Sequence, residues 1–218
     1  MATERLLVLA SSRKHGGRCI AGLSLDGNGL IRPVSDHGDG ALSSYDTQLS
    51  TAPNELDVVS FSHDGSEGDL VQPENVVVDG SAWTNEGPMD AAEALRLIEP
   101  HLHTGYAVLG NRGNAVPAHV ANEGMDESMC LIEPTNPEFV LNPELRPLAR
   151  FSYRAKTWEL PLTDFTVSNE VRRTGKPGTY SLDELGFETP RRVALLLSLA
   201  TNPNDWHSKL AAGVLRFP

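Results

Sequence analysis

Turn-forming residues punctuate this chain from end to end. Its 218 residues include 19 glycines and 15 prolines, and the stretches between them are short and β-rich. Residues 6–10 read as a buried strand. Residues 18–25 read as another, ended by Asp26-Gly27-Asn28-Gly29, a hairpin signal built from residues that tolerate the positive φ of tight turns. Residues 30–34 return from that turn. Further β candidates are residues 55–62, 75–79, 106–109, 114–120, 128–133, 138–141, 148–153, 157–162 and 210–217. Residues 193–199 suit a buried strand or a helix. Residues 163–168 either continue the preceding sheet or leave it, and residues 181–185 suit one helical turn.

Many short strands at this spacing predict a mostly β protein built as small barrels or a sandwich, and a closed barrel leaves no strand edge open. One segment reads helical. Within residues 88–103, Ala91, Ala94, Leu95, Ile98 and Leu102 recur at three- and four-residue steps, with Asp90 and Glu93 at the end where the helix dipole favours anions. This helix separates two strand-rich halves. The expected division is an N-terminal barrel with its helix over residues 1–104 and a C-terminal barrel over residues 105–218.

The chain is 39% hydrophobic and 22% charged, enough apolar surface for a real core. No apolar run approaches the roughly 18 residues that a membrane-spanning helix needs. The run over residues 6–10 is too brief for a secretory signal, so a cytoplasmic protein is expected. Cys19 and Cys130 form no CxxC pair, which excludes a zinc ribbon, and two reduced thiols are expected.

The net charge is −11, from 18 basic and 29 acidic side chains. That argues against a protein coated all round by nucleic acid. The charge is unevenly placed: residues 1–40 are net +1, residues 41–145 net −16 and residues 146–218 net +4. A basic face built from the two ends of the chain remains open.

Three constellations carry possible chemistry. In residues 11–18, a Ser/Gly loop carrying Ser12, Arg13, Lys14 and Arg18 offers backbone N–H groups and positive charge to a phosphate, without the spacing of a P-loop. In residues 30–40, Arg32 stands among apolar residues and can face a groove, while Asp36, His37 and Asp39 in the following bend can be read as metal ligands or as a capped turn. In residues 150–158, basic and aromatic residues interleave. On a strand Arg150, Ser152 and Arg154 share one face and Phe151 and Tyr153 the other. Lys156 and Trp158 extend the pattern, and Tyr153 or Trp158, if exposed, offers a stacking surface to bases. Arg172, Arg173 and Lys176 make a basic loop. None of the seven histidines belongs to a HExxH pair, and neither a nucleophile elbow nor a dinucleotide-binding glycine motif is present.

The stretch Leu7-Val8-Leu9-Ala10-Ser11-Ser12-Arg13-Lys14, followed by Gly17-Arg18-Cys19-Ile20-Ala21-Gly22 and by Gly29-Leu30-Ile31-Arg32-Pro33-Val34-Ser35, resembles the start of the bacterial dual OB-containing domain family. Looser similarity continues through residues 151–158, 195–199 and 209–214. The resemblance implies two OB-type barrels and a role in binding nucleic acid, in the setting of bacterial conflict systems. It brings no catalytic residues with it.

The expectation is therefore a non-catalytic module without cofactor or metal that binds single-stranded or structured nucleic acid, or a nucleotide. Arg13, Lys14, Arg18, Arg32, Arg150, Arg154 and Lys156, with Ser12, contact phosphates, and Tyr153 and Trp158 stack. The alternatives are a protein-interaction adaptor that uses the acidic centre, and a metal-dependent enzyme acting on nucleotides at Asp36, His37 and Asp39.

Overall fold

A single long strand organises the first half. The computed structural model describes residues 2–14, 17–65, 68–201 and 205–218, with Arg13 and Lys14 described in their backbone only. Strand β1 (Ala2–Lys14) pairs antiparallel with β2 (Gly17–Ser24) on one side and with β4 (Asp57–His63) on the other. β2 pairs with β3 (Leu30–Val34), which in turn runs parallel to β5 (Asn75–Val77). An antiparallel bridge from His63 to Val78 closes β4 onto the end of β5. The short helix α1 (Ser44–Thr47) lies between β3 and β4 in the chain, and β6 (Thr84–Pro88) adds to the outside of β4. Strand order 1-2-3-5-4-1 with a parallel 3–5 pair describes a five-stranded Greek-key barrel of OB type.

The second half repeats this order with a broken first strand. Helix α2 (Ala91–Ile98), β7 (Ala115–Pro117) and α3 (Ala118–Ala121) lead into it. β8 (Met129–Ile132) and β9 (Thr135–Leu141) follow one another across Glu133-Pro134, where a proline cannot donate to a ladder. β8 pairs with β13 (Arg192–Leu199), and β9 pairs with β10 (Pro147–Tyr153). β10 pairs with β11 (Lys156–Pro161), and β13 with β14 (Trp206–Phe217). A parallel bridge from Leu162 to Ala211 closes the barrel. Helix α4 (Phe165–Arg173) lies between β11 and β13 in the chain, as α1 lies between β3 and β4, and β12 (Gly178–Tyr180) extends β9. The protein is mostly β, as expected.

Alternation of side chains divides the core into three. Leu6, Val8, Ile20, Ile31, Val59 and Phe61 fill the first barrel. Phe139, Phe151, Trp158, Leu160, Leu195 and Leu197 fill the second. Between them Leu7 and Leu9 of β1 meet Ala94 and Ile98 of α2, Leu131 of β8 and Leu196 and Leu215 of β13 and β14. β13 thus buries both faces, which explains why residues 193–199 read as a continuous apolar run rather than as an alternating one. Backbones touch at this junction: a Cβ on Gly213 would stand 2.0 Å from the Leu9 carbonyl oxygen.

Four local readings need correction. Residues 118–120, expected as the end of a strand over 114–120, belong to α3, and β7 stops at Pro117. Residues 11–14 are strand and not loop, because the β1–β2 ladder continues to Lys14↔Gly17. Residues 165–173 form a helix whose N-cap, Asp164, accepts from Val167 N at 2.7 Å, so Arg172 and Arg173 lie in its last turn rather than in a basic loop. Residues 106–109 contribute only an isolated bridge, from Val108 to Asn111. The helix expected over residues 88–103 is present as α2 and a 3-10 turn at Glu99–His101, with Asp90 as its cap. Cys19 and Cys130 are free thiols. Among the described residues no helix is long and apolar enough to cross a membrane.

Candidate functional site

An open cleft of about 730 Å³ lies between the two barrels. One wall is the β1–β2–β3 face of the first barrel. Ser12 and Cys19 are cross-strand partners there, and Arg32 and Val34 share a face of β3 by the two-residue period of a strand. The opposite wall is Ser198 of β13 with Leu210 and Ala212 of β14. Residues 38–40 and 68–72 form the rim, the latter within the loop that joins β4 to β5.

Arg32 dominates this cavity. Its side chain is 2% exposed. Nη1 donates to Asn75 Oδ1 at 2.9 Å, and Nη2 donates to Ser198 Oγ at 2.9 Å and to Ser128 Oγ at 3.4 Å. None of these acceptors is a carboxylate. The nearest acid in the network is one hydroxyl away: Glu74 accepts from Ser128 Oγ and Ser128 N, each at 2.6 Å, and from Met129 N at 3.1 Å. A guanidinium has five N–H donors. Among the described residues the Nε–H of Arg32 has no acceptor. A desolvated cation with neutral partners and a donor to spare is complementary to an anion.

The same bonds fix the cleft's geometry. Gln72 Nε2 donates to the Leu199 carbonyl at 2.8 Å and Gln72 Oε1 accepts from Asn75 Nδ2 at 3.2 Å, so Arg32 and Gln72 both reach across to the second barrel and Asn75 joins them in one network.

The family model of the dual OB-containing domain matches residues 4–214. The chain belongs to that family. No curated protein and no solved structure matches it.

In this dual OB-containing domain the remaining candidate residues are dispersed. Of those from the β1–β2 hairpin, Ser12 lines the cleft and is 6% exposed, whereas the side chains of Arg13 and Lys14 lie outside the described residues. Arg18 is on the other side of the sheet, lining a separate cavity of about 630 Å³, with its guanidinium 3.8 Å from the Phe165 ring centre. Arg150 faces outward from β10 and is forked to Glu159 at 2.9 and 2.7 Å, a half-exposed pair worth about 0.2–1 kcal/mol. Arg154 occupies the hairpin tip in the left-handed region, φ 48°. Lys156 lies 3.6 Å over the Trp158 ring and donates to the Arg112 carbonyl; burial and the nearby Arg112 charge lower its pKa. Lys156 and Thr163 of the cleft are separated by seven positions of mostly extended chain, about 23 Å at roughly 3.3 Å per residue.

The stacking role given to Tyr153 and Trp158 has no exposed ring to act through. Trp158 is 1% exposed and Tyr153 7%. Both point into the second barrel because β10 and β11 alternate, with Phe151 and Tyr153 inward and Arg150 and Ser152 outward. Tyr153 Oη donates to the His103 carbonyl at 2.5 Å, and Trp158 Nε1 donates to the Tyr153 carbonyl at 3.4 Å. Among the described residues the exposed aromatics are Tyr45, Tyr106 and Trp206, none of which lines the cleft.

Asp36 and His37 pair with each other at 3.1 Å on the surface, and Asp39 accepts from Ala41 N. Among the described residues no group of three His, Cys, Asp or Glu side chains is placed to hold a metal ion. Reading the sequence missed Ser198, Ser128, Asn75 and Glu74. Ser198 had a signal: it is the lone hydroxyl inside the apolar run of β13, and a buried hydroxyl needs a partner.

A second polar group is buried where β1, α4 and β14 meet. Asp164 is fully buried, accepting from Val167 N at 2.7 Å and Val214 N at 2.9 Å. Burial, with Glu55 close by, pushes its pKa up to about 7, against the opposing pull of the two N–H bonds and Arg216. Burial also raises Glu55, which Arg216, Thr166 and Arg18 partly offset.

Proposed function

We propose that this dual OB-containing protein binds a nucleic acid or nucleotide in the cleft between its barrels, with Arg32 as the phosphate contact. The observation that carries this reading is the buried Arg32 guanidinium, held by neutral acceptors with Nε–H uncommitted. The face it occupies, around strands 2 and 3 and the loop between strands 4 and 5, is the one on which OB folds bind oligonucleotides. Ser12 stands on the same wall, and Arg13, Lys14 and Arg18 belong to the hairpin beside it. Arg150 is committed to Glu159, and Arg154 and Lys156 sit at the tip of the β10–β11 hairpin, so none of the three is counted in this contact. Residues 1–104 and 105–218 are taken as the two units, each supplying one wall.

The test is a binding screen of the full chain against labelled single-stranded DNA, duplex DNA, RNA and mononucleotides at two salt concentrations. Binding of at least one of these should weaken with salt, because each phosphate contact releases counterions. It should also fall about tenfold in Arg32→Gln, which removes a charge-assisted bond. Binding unchanged by salt and by Arg32→Gln, or no binding to any of them, overturns the reading.

A further inference from the structure

We infer that the cleft takes a single ribonucleotide, its phosphate on Arg32, rather than a running strand. The inference rests on the phosphate-binding reading above and narrows it.

Confinement by the second barrel is the first argument. A strand-binding OB face is an open groove along which successive bases lie. Here β13 and β14 of the second barrel stand opposite that face. The walls are held together by Arg32 to Ser198, Glu74 to Ser128 and the backbone contact of Gly213 with Leu9. What remains is a two-walled chamber, open to solvent along its rim, of about 730 Å³, within the roughly 300–1,000 Å³ typical of small-ligand sites.

The lining agrees. Strand binding draws on several cations and on aromatic platforms. Among the described residues that line the chamber, Arg32 is the one cation and none is aromatic. Long-range charge points the same way. Residues 41–145 carry a net −16, and the repulsion of a polyanion by that field grows with its length, whereas a monophosphate brings only about two charges.

Besides Arg32 the lining carries two carboxylates, Asp39 and Asp69, which accept hydrogen bonds. Asp69 Oδ1 accepts from Val71 N at 2.8 Å and from Gln72 N at 2.6 Å, which orients the carboxylate and leaves Oδ2 with no donor among the described residues. A carboxylate repels phosphate but accepts from a ribose hydroxyl, the role an acidic residue takes in dinucleotide sites. Val34, Val77 and Leu210 supply apolar surface for a base. A group that accepts at one end and donates at the other satisfies both Arg32 and Asp69.

The experiment is calorimetric titration of the full chain with the four ribonucleoside 5′-monophosphates, their 2′-deoxy forms and a long single-stranded oligonucleotide. Two variants accompany it. Arg32→Gln removes the phosphate donor. Thr201→Glu places a negative charge at an exposed position on the chamber's rim, away from the buried network, with Thr201→Gln as its uncharged counterpart. The expected result is one-to-one binding of at least one monophosphate, weaker for the deoxy form. Arg32→Gln should weaken it about tenfold, and Thr201→Glu about fivefold relative to Thr201→Gln. Monophosphate binding insensitive to both variants overturns the inference. So does oligonucleotide binding that strengthens with length and is not displaced by monophosphates, although that outcome leaves the broader reading standing. No binding of any probe overturns both.

Discussion

Arg32 on β3 and Ser198 on β13 are 166 positions apart in the chain and joined by a 2.9 Å hydrogen bond, Nη2 to Oγ. One bond thus spans the two barrels, and the cation that makes it is the one that lines the cleft. Removing either end should destabilise the protein. We expect Ser198→Ala to cost about 1 kcal/mol and Arg32→Met about 3 kcal/mol, since the latter strands Asn75, Ser128 and Ser198 without their donor. A double-mutant cycle by urea unfolding should show coupling of roughly 1 kcal/mol; additivity would mean the bond contributes nothing across the junction.

Gly213 is required by distance rather than by conformation. Its Cβ would meet the Leu9 carbonyl oxygen at 2.0 Å, and neither backbone is a flexible end that can move aside. Gly213→Ala should cost about 3 kcal/mol or more as the barrels are pushed apart. Differential scanning calorimetry measures this, and an unchanged melting temperature would mean that the two strands are not in contact in solution.

Asp164 should make stability depend on pH in the sense opposite to a salt-bridged acid. Its folded pKa is raised to about 7, against about 4 when unfolded. Between those values the folded state holds the extra proton, so this group's contribution falls as pH rises from about 4 to about 7. Its neighbours Glu55, Arg216 and Arg18 set the size of the effect. The wild-type stability minus that of Asp164→Asn should decline across this window; a difference that rises with pH would refute the assignment.

Lys209 acts at higher pH. It is fully buried, and its Nζ donates to the Val108 carbonyl at 2.5 Å and to the Asn111 carbonyl and Oδ1 at 2.9 and 2.8 Å. Burial lowers its pKa to about 8. The unfolded chain holds the proton up to about 10.4, so stability from this group rises between about 8 and that value. Lys209→Met should cost about 2 kcal/mol at neutral pH by removing a charged donor to three acceptors, each of which keeps one neutral N–H donor, and should abolish the rise.

The parts of the fold visible in the sequence were those set by local rules. The alternation of residues 148–153 put Phe151 and Tyr153 on one face and Arg150 on the other, and the structure shows the aromatic face to be core. Alternation does not say which face is buried, so the expectation of stacking by Tyr153 fell only to its observed burial. Helix α4 was hidden because Thr166 and Val167 are β-branched and only Val167 and Val171 mark its apolar stripe. The cleft was hidden for a different reason. Its cation was recognisable, an arginine between Ile31 and Pro33, but its partners come from a loop and two strands remote in the chain. Counting charges in the last third of the chain suggested a basic face. The barrel geometry instead spends Arg150 on Glu159 and Arg192 on Glu133 and Glu99.

The most direct measurement is NMR observation of the Arg32 side-chain Nε–H, assigned by its loss in Arg32→Lys, during titration with a ribonucleoside monophosphate. The expected result is a saturable shift of this resonance, with slowed exchange with water, in step with shifts of the Ser12, Asp69 and Ser198 amides. A titration in which Arg32 Nε–H stays unmoved while only surface amides respond would contradict the cleft as the binding site.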